Sequence, residues 1–152
     1  MTRELEDRAR TLGFDLFGVA PAREFPHLPA WVESVVVLGM PALDAALDLE
    51  LYIDEPGGQR WSKWAYERMA AGAARLCLAL LEAGERAMPL TYEDSLSLLD
   101  LKAAAGRAGL GVRGLNNLVV TRRFGPRVRF GAVLTSLPLP PGAPLQDYYC
   151  VS

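Results

Sequence analysis

Ala108-Gly109-Leu110-Gly111-Val112-Arg113-Gly114-Leu115-Asn116-Asn117-Leu118 places three glycines within six residues, where a helical pattern gives way to a strand pattern. Glycines this close let another group approach the backbone and leave amide groups exposed to it. Asn116 and Asn117 are the only asparagines in the chain. The residues alone leave two readings open: a tight helix cap with a turn, or a cradle for a bulky ligand. The order is helix then strand. Dinucleotide and phosphate-binding loops run from strand to helix, so a Rossmann or P-loop reading is rejected.

On the N-terminal side of this loop, Ser97 with Asp100 three residues on reads as a capping box opening a helix to Arg107. Before it come a strand over 86–91 and a long amphipathic helix over 60–82, broken at Gly84. Residues 41–59 carry little pattern and end in Pro56-Gly57-Gly58, which predicts a loop with helical turns, able to act as a mobile lid. Two apolar runs, 14–20 and 34–40, predict strands that end at Pro21 and Pro41. The first residues, 2–12, place Leu5, Ala9 and Leu12 on one helical face. On the C-terminal side, residues 118–121 and 128–135 are β-branched runs around Phe124-Gly125-Pro126, which predicts a hairpin. The proline-rich stretch 137–144 lacks the amide donors a central sheet needs and is expected to lead away as an exit segment. These elements predict an α+β layered domain over 1–136, followed by 137–152 as the exit segment.

With 152 residues, 51% of them apolar, the chain matches the common size of one globular domain. A net charge of −2 offers no field for a nucleic-acid backbone or an anionic membrane surface. A small-molecule partner is expected instead. No apolar run approaches membrane-spanning length, and Met1 to Arg10 has no signal-peptide core, so a cytoplasmic protein is expected. Cys77 lies in a helical apolar pattern and is read as core. His27, the single histidine, has no ligand cluster around it and is read as a surface residue. Trp61, Trp64 and Tyr66 are read as core at the start of the long helix, with a cofactor pocket as the alternative. Arg122, Arg123, Arg127 and Arg129 read as a solvated basic face.

The stretch from Lys102 to Leu139 resembles the epoxyqueuosine-reductase family and its reductive-dehalogenase relatives. Lys102, Ala105, Ala108-Gly109-Leu110-Gly111, Gly114, Asn116 and Leu118 are similar to the family's glycine-rich cofactor loop. Phe124-Gly125-Pro126-Arg127 with Gly131 and Thr135 is similar to its hairpin, and Pro138-Leu139-Pro140 to its exit. Gly13 to Pro21 and the strand from Val35 to Pro41 resemble its first two strands. The resemblance implies a nitroreductase-like domain, a mixed or antiparallel sheet flanked by helices, that holds cobalamin in place of flavin. It places the cofactor at Gly109, Gly111, Arg113, Gly114, Asn116 and Asn117, in a pocket between this loop and the aromatic start of the long helix.

The same resemblance implies reductive chemistry at cobalt, with electrons supplied by an adjoining ferredoxin-like iron–sulfur domain carrying four-iron clusters. Cys150 falls where the first cysteine of that cluster run would stand; four thiolates are needed, so the chain as written is expected to hold no cluster. The family's proton-donating aspartate corresponds to Ser95, with Leu98 in place of its proline and Leu101-Lys102 in place of Glu-Arg. Leu115 stands where the family has lysine. These departures leave Tyr92, Asp94 and Ser95 as candidate acids and point toward relatives of unknown substrate rather than epoxyqueuosine reduction. In the family the basic hairpin residues would face tRNA, a weak claim here without interleaved aromatics. Three other readings are kept: a corrinoid carrier without turnover, an FMN flavoprotein of the nitroreductase type, and a purely structural module.

Overall fold

A computed structural model describes residues 1–90 and 97–146. The apolar run Val35-Val36-Val37-Leu38 is buried on both faces and forms the middle of strand β2 (Ser34–Pro41). It pairs on one side with β1 (Leu16–Pro21) and on the other with β8 (Val128–Thr135). β5 (Ala87–Leu90) completes a four-stranded sheet of order β1-β2-β8-β5, every pairing antiparallel.

Two helices cover one face. α1 (Thr2–Thr11) contributes Leu5 and Ala9, and α2 (Trp64–Glu82) contributes Met69, Ala73, Leu76, Cys77 and Leu80 at helical spacing. They close over Val36, Leu38, Met40 and Val133 of the sheet. Helix α3 (Leu101–Arg107) packs Ala104 and Ala105 on the opposite face, against Val35, Val37, Ala132 and Leu134. Each helix ends in the paired bonds of a Schellman motif with glycine in the left-handed region, at Gly13, Gly84 and Gly109. The α+β class and the antiparallel sheet flanked by helices are as expected.

Three element assignments differ from the sequence reading. The run 128–135 is a central strand, and its expected partner pairs elsewhere: β7 (Val119–Val120) joins β6 (Val112–Arg113) in a separate two-stranded ribbon. The cause is local. Thr121 and Gly125 exchange backbone bonds of 2.9 and 3.0 Å, closing a turn that redirects the chain before Val128. The stretch read as a loop contains a one-turn 3-10 helix at Ala45–Asp48 and a hairpin of β3 (Glu50–Glu55) and β4 (Gly58–Lys63) around Pro56-Gly57. The long helix therefore begins at Trp64, not Arg60. Its expected aromatic core start is also corrected, because Trp61 and Trp64 are 39% and 54% exposed. Trp61 faces Tyr52 across the hairpin and meets Tyr66 edge-on at 6.1 Å.

Residues 137–146 lie against the domain. The buried Leu139 donates its backbone N–H to Ser34 Oγ at 2.8 Å, and the Gly142 N–H reaches the Val19 carbonyl of edge strand β1 at 2.9 Å. Covering a sheet edge in this way removes a surface on which another strand could pair. Cys77 is buried, and desolvation pushes its thiol up to about 11, which fits an inert core residue.

Candidate functional site

Along β8 the described pairing with β5 stops at Ala132 opposite Leu90, while the pairing with β2 continues to Val128. Val128 to Ala132, the first half of β8, line a cavity of about 990 Å³. Tyr66, Met69 and Ala70 of α2 line this cavity on one side of the sheet; Leu99 to Ala103 at the start of α3 line it on the other. Arg113 and residues 117–119 of the β6–β7 ribbon, together with Glu24 to His27, complete the wall. The cavity thus lies between the glycine-containing ribbon and the first turns of α2. Its walls are mainly apolar, with a small set of polar groups, the usual composition of a small-molecule site.

Asp100 organises the α3 side. Its carboxylate accepts the Ala103 backbone N–H at 3.0 Å as the helix N-cap and receives Arg113 Nη2 at 3.2 Å on both oxygens. The helix therefore starts one residue after Asp100, not at Ser97 as the capping-box reading expected. Burial opposes the charged carboxylate, but the Ala103 amide and the Arg113 guanidinium outweigh it and hold Asp100 below its ordinary value. Asp100→Ala removes the cap and releases Arg113. Urea unfolding should show a loss of about 1 kcal/mol.

The glycine loop is built for backbone contact within the protein. A Cβ on Gly111 would lie 2.6 Å from the Val120 carbonyl oxygen. Gly114 N–H bonds the Leu118 carbonyl at 2.8 Å, and Asn117 takes a left-handed φ of 62° at the ribbon tip. Asn116 Oδ1 accepts the Leu118 N–H at 3.2 Å. Of the six residues assigned to the cofactor from sequence, Arg113 and Asn117 line the cavity, whereas Gly109, Gly111, Gly114 and Asn116 shape the turn that carries them. Tyr92, Asp94, Ser95 and Cys150 lie outside the described residues.

Arg129, read from the sequence as part of a solvated basic face, instead lines the cavity and pairs with Asp48. It shares the α2-facing register of β8 with Gly131, whose absent side chain leaves room for Met69, and with the core residue Val133. Its Nη2 bonds Asp48 of the 3-10 turn and draws that carboxylate below its ordinary value. Its Nε is buried without a hydrogen-bond partner among the described residues, and the side chain lines the cavity. A charge placed in the core-facing register of an otherwise apolar strand was the available signal. Arg123 is held over Phe124 and near Asp15, so the four arginines do not form one free basic face. His27 is exposed and stands at the cavity. Among the described residues, no group of three or more His, Cys, Asp or Glu could hold a metal ion, and no helix is long and apolar enough to cross a membrane.

A cavity of this size and lining beside the central strand is the candidate ligand site of this antiparallel α+β domain. No family model matches the chain. It is 38% identical over 80 residues to the tetrachloroethene reductive dehalogenase of Dehalobacter restrictus, covering 53% of the chain and 14% of that protein. It is 42% identical over 54 residues to the epoxyqueuosine reductase of Listeria monocytogenes, covering 36% of the chain and 14% of that protein. The solved epoxyqueuosine reductase of Streptococcus thermophilus superposes with a TM-score of 0.71 at 16% identity, over 97% of this chain and 49% of that one. A solved reductive dehalogenase, described as carrying out B12-dependent dehalogenation, gives 0.71 at 22% identity, over 96% of this chain and 20% of that one. The resemblance seen in the sequence holds: reductive dehalogenases and epoxyqueuosine reductases are homologues of this chain and share its fold. In the curated relatives named here the match spans about a seventh of their length.

Proposed function

We propose that the cavity beside β8 holds a corrinoid for reductive chemistry. The observation that carries this reading is a space of about 990 Å³, at the upper end of small-molecule sites, with mainly apolar walls and the polar side chains of Arg113, Asn117 and Arg129 among its lining. The residues present fit such a group. Met69, Leu99, Val128 and Phe130 offer apolar surface to a large ring, and Asn117, Arg113 and Lys102 offer donors to its polar periphery. The B12-dependent relative of the same fold supports the choice of corrinoid over another large ligand. Its layers are read as nitroreductase-like, with the corrinoid in the place of flavin.

When bound, the corrinoid would supply the reducing metal centre, and the chain's part is to hold the ring, exclude water and deliver a proton. Tyr92, Asp94 and Ser95 are the proposed acids; the residues that flank their segment, Leu90 and Ser97, both line the cavity, which supports that assignment. The substrate is a small molecule of unassigned class. Residues 137–152 are proposed to lead to an iron–sulfur electron donor, in which Cys150 would be a cluster ligand.

The purified chain mixed with hydroxocobalamin, or separately with FMN, and passed over a desalting column should retain the corrinoid stoichiometrically by absorbance. Ala70→Trp fills the cavity from α2 and should lower that retention about tenfold or more while leaving the melting curve in place. Retention of FMN alone overturns the reading in favour of a flavoprotein. Retention of neither overturns it outright.

A further inference from the structure

We infer that the substrate of this cavity is an organic acid whose carboxylate is received by Lys102, a deepening that rests on the reading of the cavity as a small-molecule site. The charge balance of the wall carries the argument. Of the carboxylates there, Glu24 accepts Arg107 Nε at 2.8 Å, and Asp100 caps α3 while holding Arg113 Nη2 at 3.2 Å. Of the cations, Arg113 is thereby matched, and Arg129 is paired with Asp48. Lys102 is left over. Its ammonium makes no hydrogen bond or ion pair among the described residues, although the residue is partly buried and lines the cavity beside Leu98, Leu99 and Leu101. Lysine is rarely withdrawn from water without a counter-ion, and leucine neighbours give its charge no compensation. A corrinoid ring does not restore the balance, because its peripheral amides are neutral acceptors. A carboxylate does, since a charge-assisted bond to an ammonium is roughly twice as strong as a neutral one. The leucines and Phe130 supply apolar surface for the carbon skeleton of such an acid.

The test is equilibrium binding of naphthoate, and of the neutral naphthamide of the same shape, to the full chain by titration calorimetry. No corrinoid is present, so the result stands apart from the retention of hydroxocobalamin. The wild-type chain should bind the acid about fivefold or more tighter than the amide, and raising the salt concentration should shrink that margin. Lys102→Met keeps the apolar stem, removes the charge and should bring the acid down to the affinity of the amide. Lys102→Arg should keep a preference for the acid. Lys63→Met, at the chain's only other lysine and outside the cavity, should leave the margin in place. Equal wild-type affinities overturn the inference, and so does binding of neither probe, while the corrinoid reading stands on its own retention result. A Lys102→Met loss that is equal for both probes, in a chain that still folds by circular dichroism, assigns Lys102 a packing role and also overturns it. Failed corrinoid retention with the acid preference intact removes the cofactor reading and supports this one.

Discussion

Gly109→Val is expected to destabilise the domain by about 4 kcal/mol, a large share of the stability of a domain this size. Two independent costs combine. Gly109 has a φ of 77°, where a β-branched residue is strained by about 1–3 kcal/mol. A Cβ there would also lie 2.5 Å from the Ala143 carbonyl oxygen, which belongs to backbone and cannot swing aside as a side chain could. Overpacking of that kind adds about 1–3 kcal/mol. Gly125→Val isolates the first cost, since Gly125 has a φ of 59° and nothing within 4 Å of its would-be Cβ. Urea unfolding of both variants without any ligand decides the matter. Equal losses would mean that the contact with Ala143 contributes nothing and that Gly109 is required only by its backbone conformation.

That pair of variants also addresses what the glycine loop is for. Its sequence left a ligand cradle open beside the commoner reading as a tight cap and turn, because glycine density reports close approach without saying what approaches. The structure supplies the approaching groups at two positions: residues 142–143 pack against Ala108 and Gly109, and the Val120 carbonyl against Gly111. The fold class, both N-terminal strands and the helix stops were legible, since buried apolar runs and glycine caps are local signals. The β3–β4 hairpin was not. Its strands leave Tyr52, Trp61 and both ends exposed, so the alternation that marks a half-buried strand is weak there. Strand β8 was recognised as a strand but given the wrong partner, because pairing at a distance of nearly a hundred residues, with Ser34–Pro41, leaves no trace in local pattern. Arg129 was read as part of a solvated basic face for a related reason: as one strand of a hairpin, 128–135 gave no cause to weigh the charge in the register it shares with Gly131 and Val133.

Gly72→Leu is expected to cost about 3 kcal/mol, and the reason reaches from the core to the cavity. A glycine in the middle of α2 is by itself unfavourable, so any side chain there gains up to about 1 kcal/mol of helix propensity. Packing outweighs that gain. A Cβ at Gly72 would come within 2.6 Å of two carbons of the Phe14 ring, and Phe14 is only 2% exposed, with no space into which the ring can retreat. The helix must move instead. Tyr66, Met69 and Ala70 lie two to six residues before Gly72 and form the α2 wall of the cavity, so the same displacement should weaken corrinoid retention beyond the loss of stability. A double-mutant cycle with Gly72→Ala and Phe14→Leu measures the contact directly. Removing ring bulk should recover part of the Gly72→Ala loss, with a coupling of about 1 kcal/mol or more between the two sites. Strictly additive effects would show that the Phe14 ring does not set the position of α2 and that this wall of the cavity is fixed by other contacts.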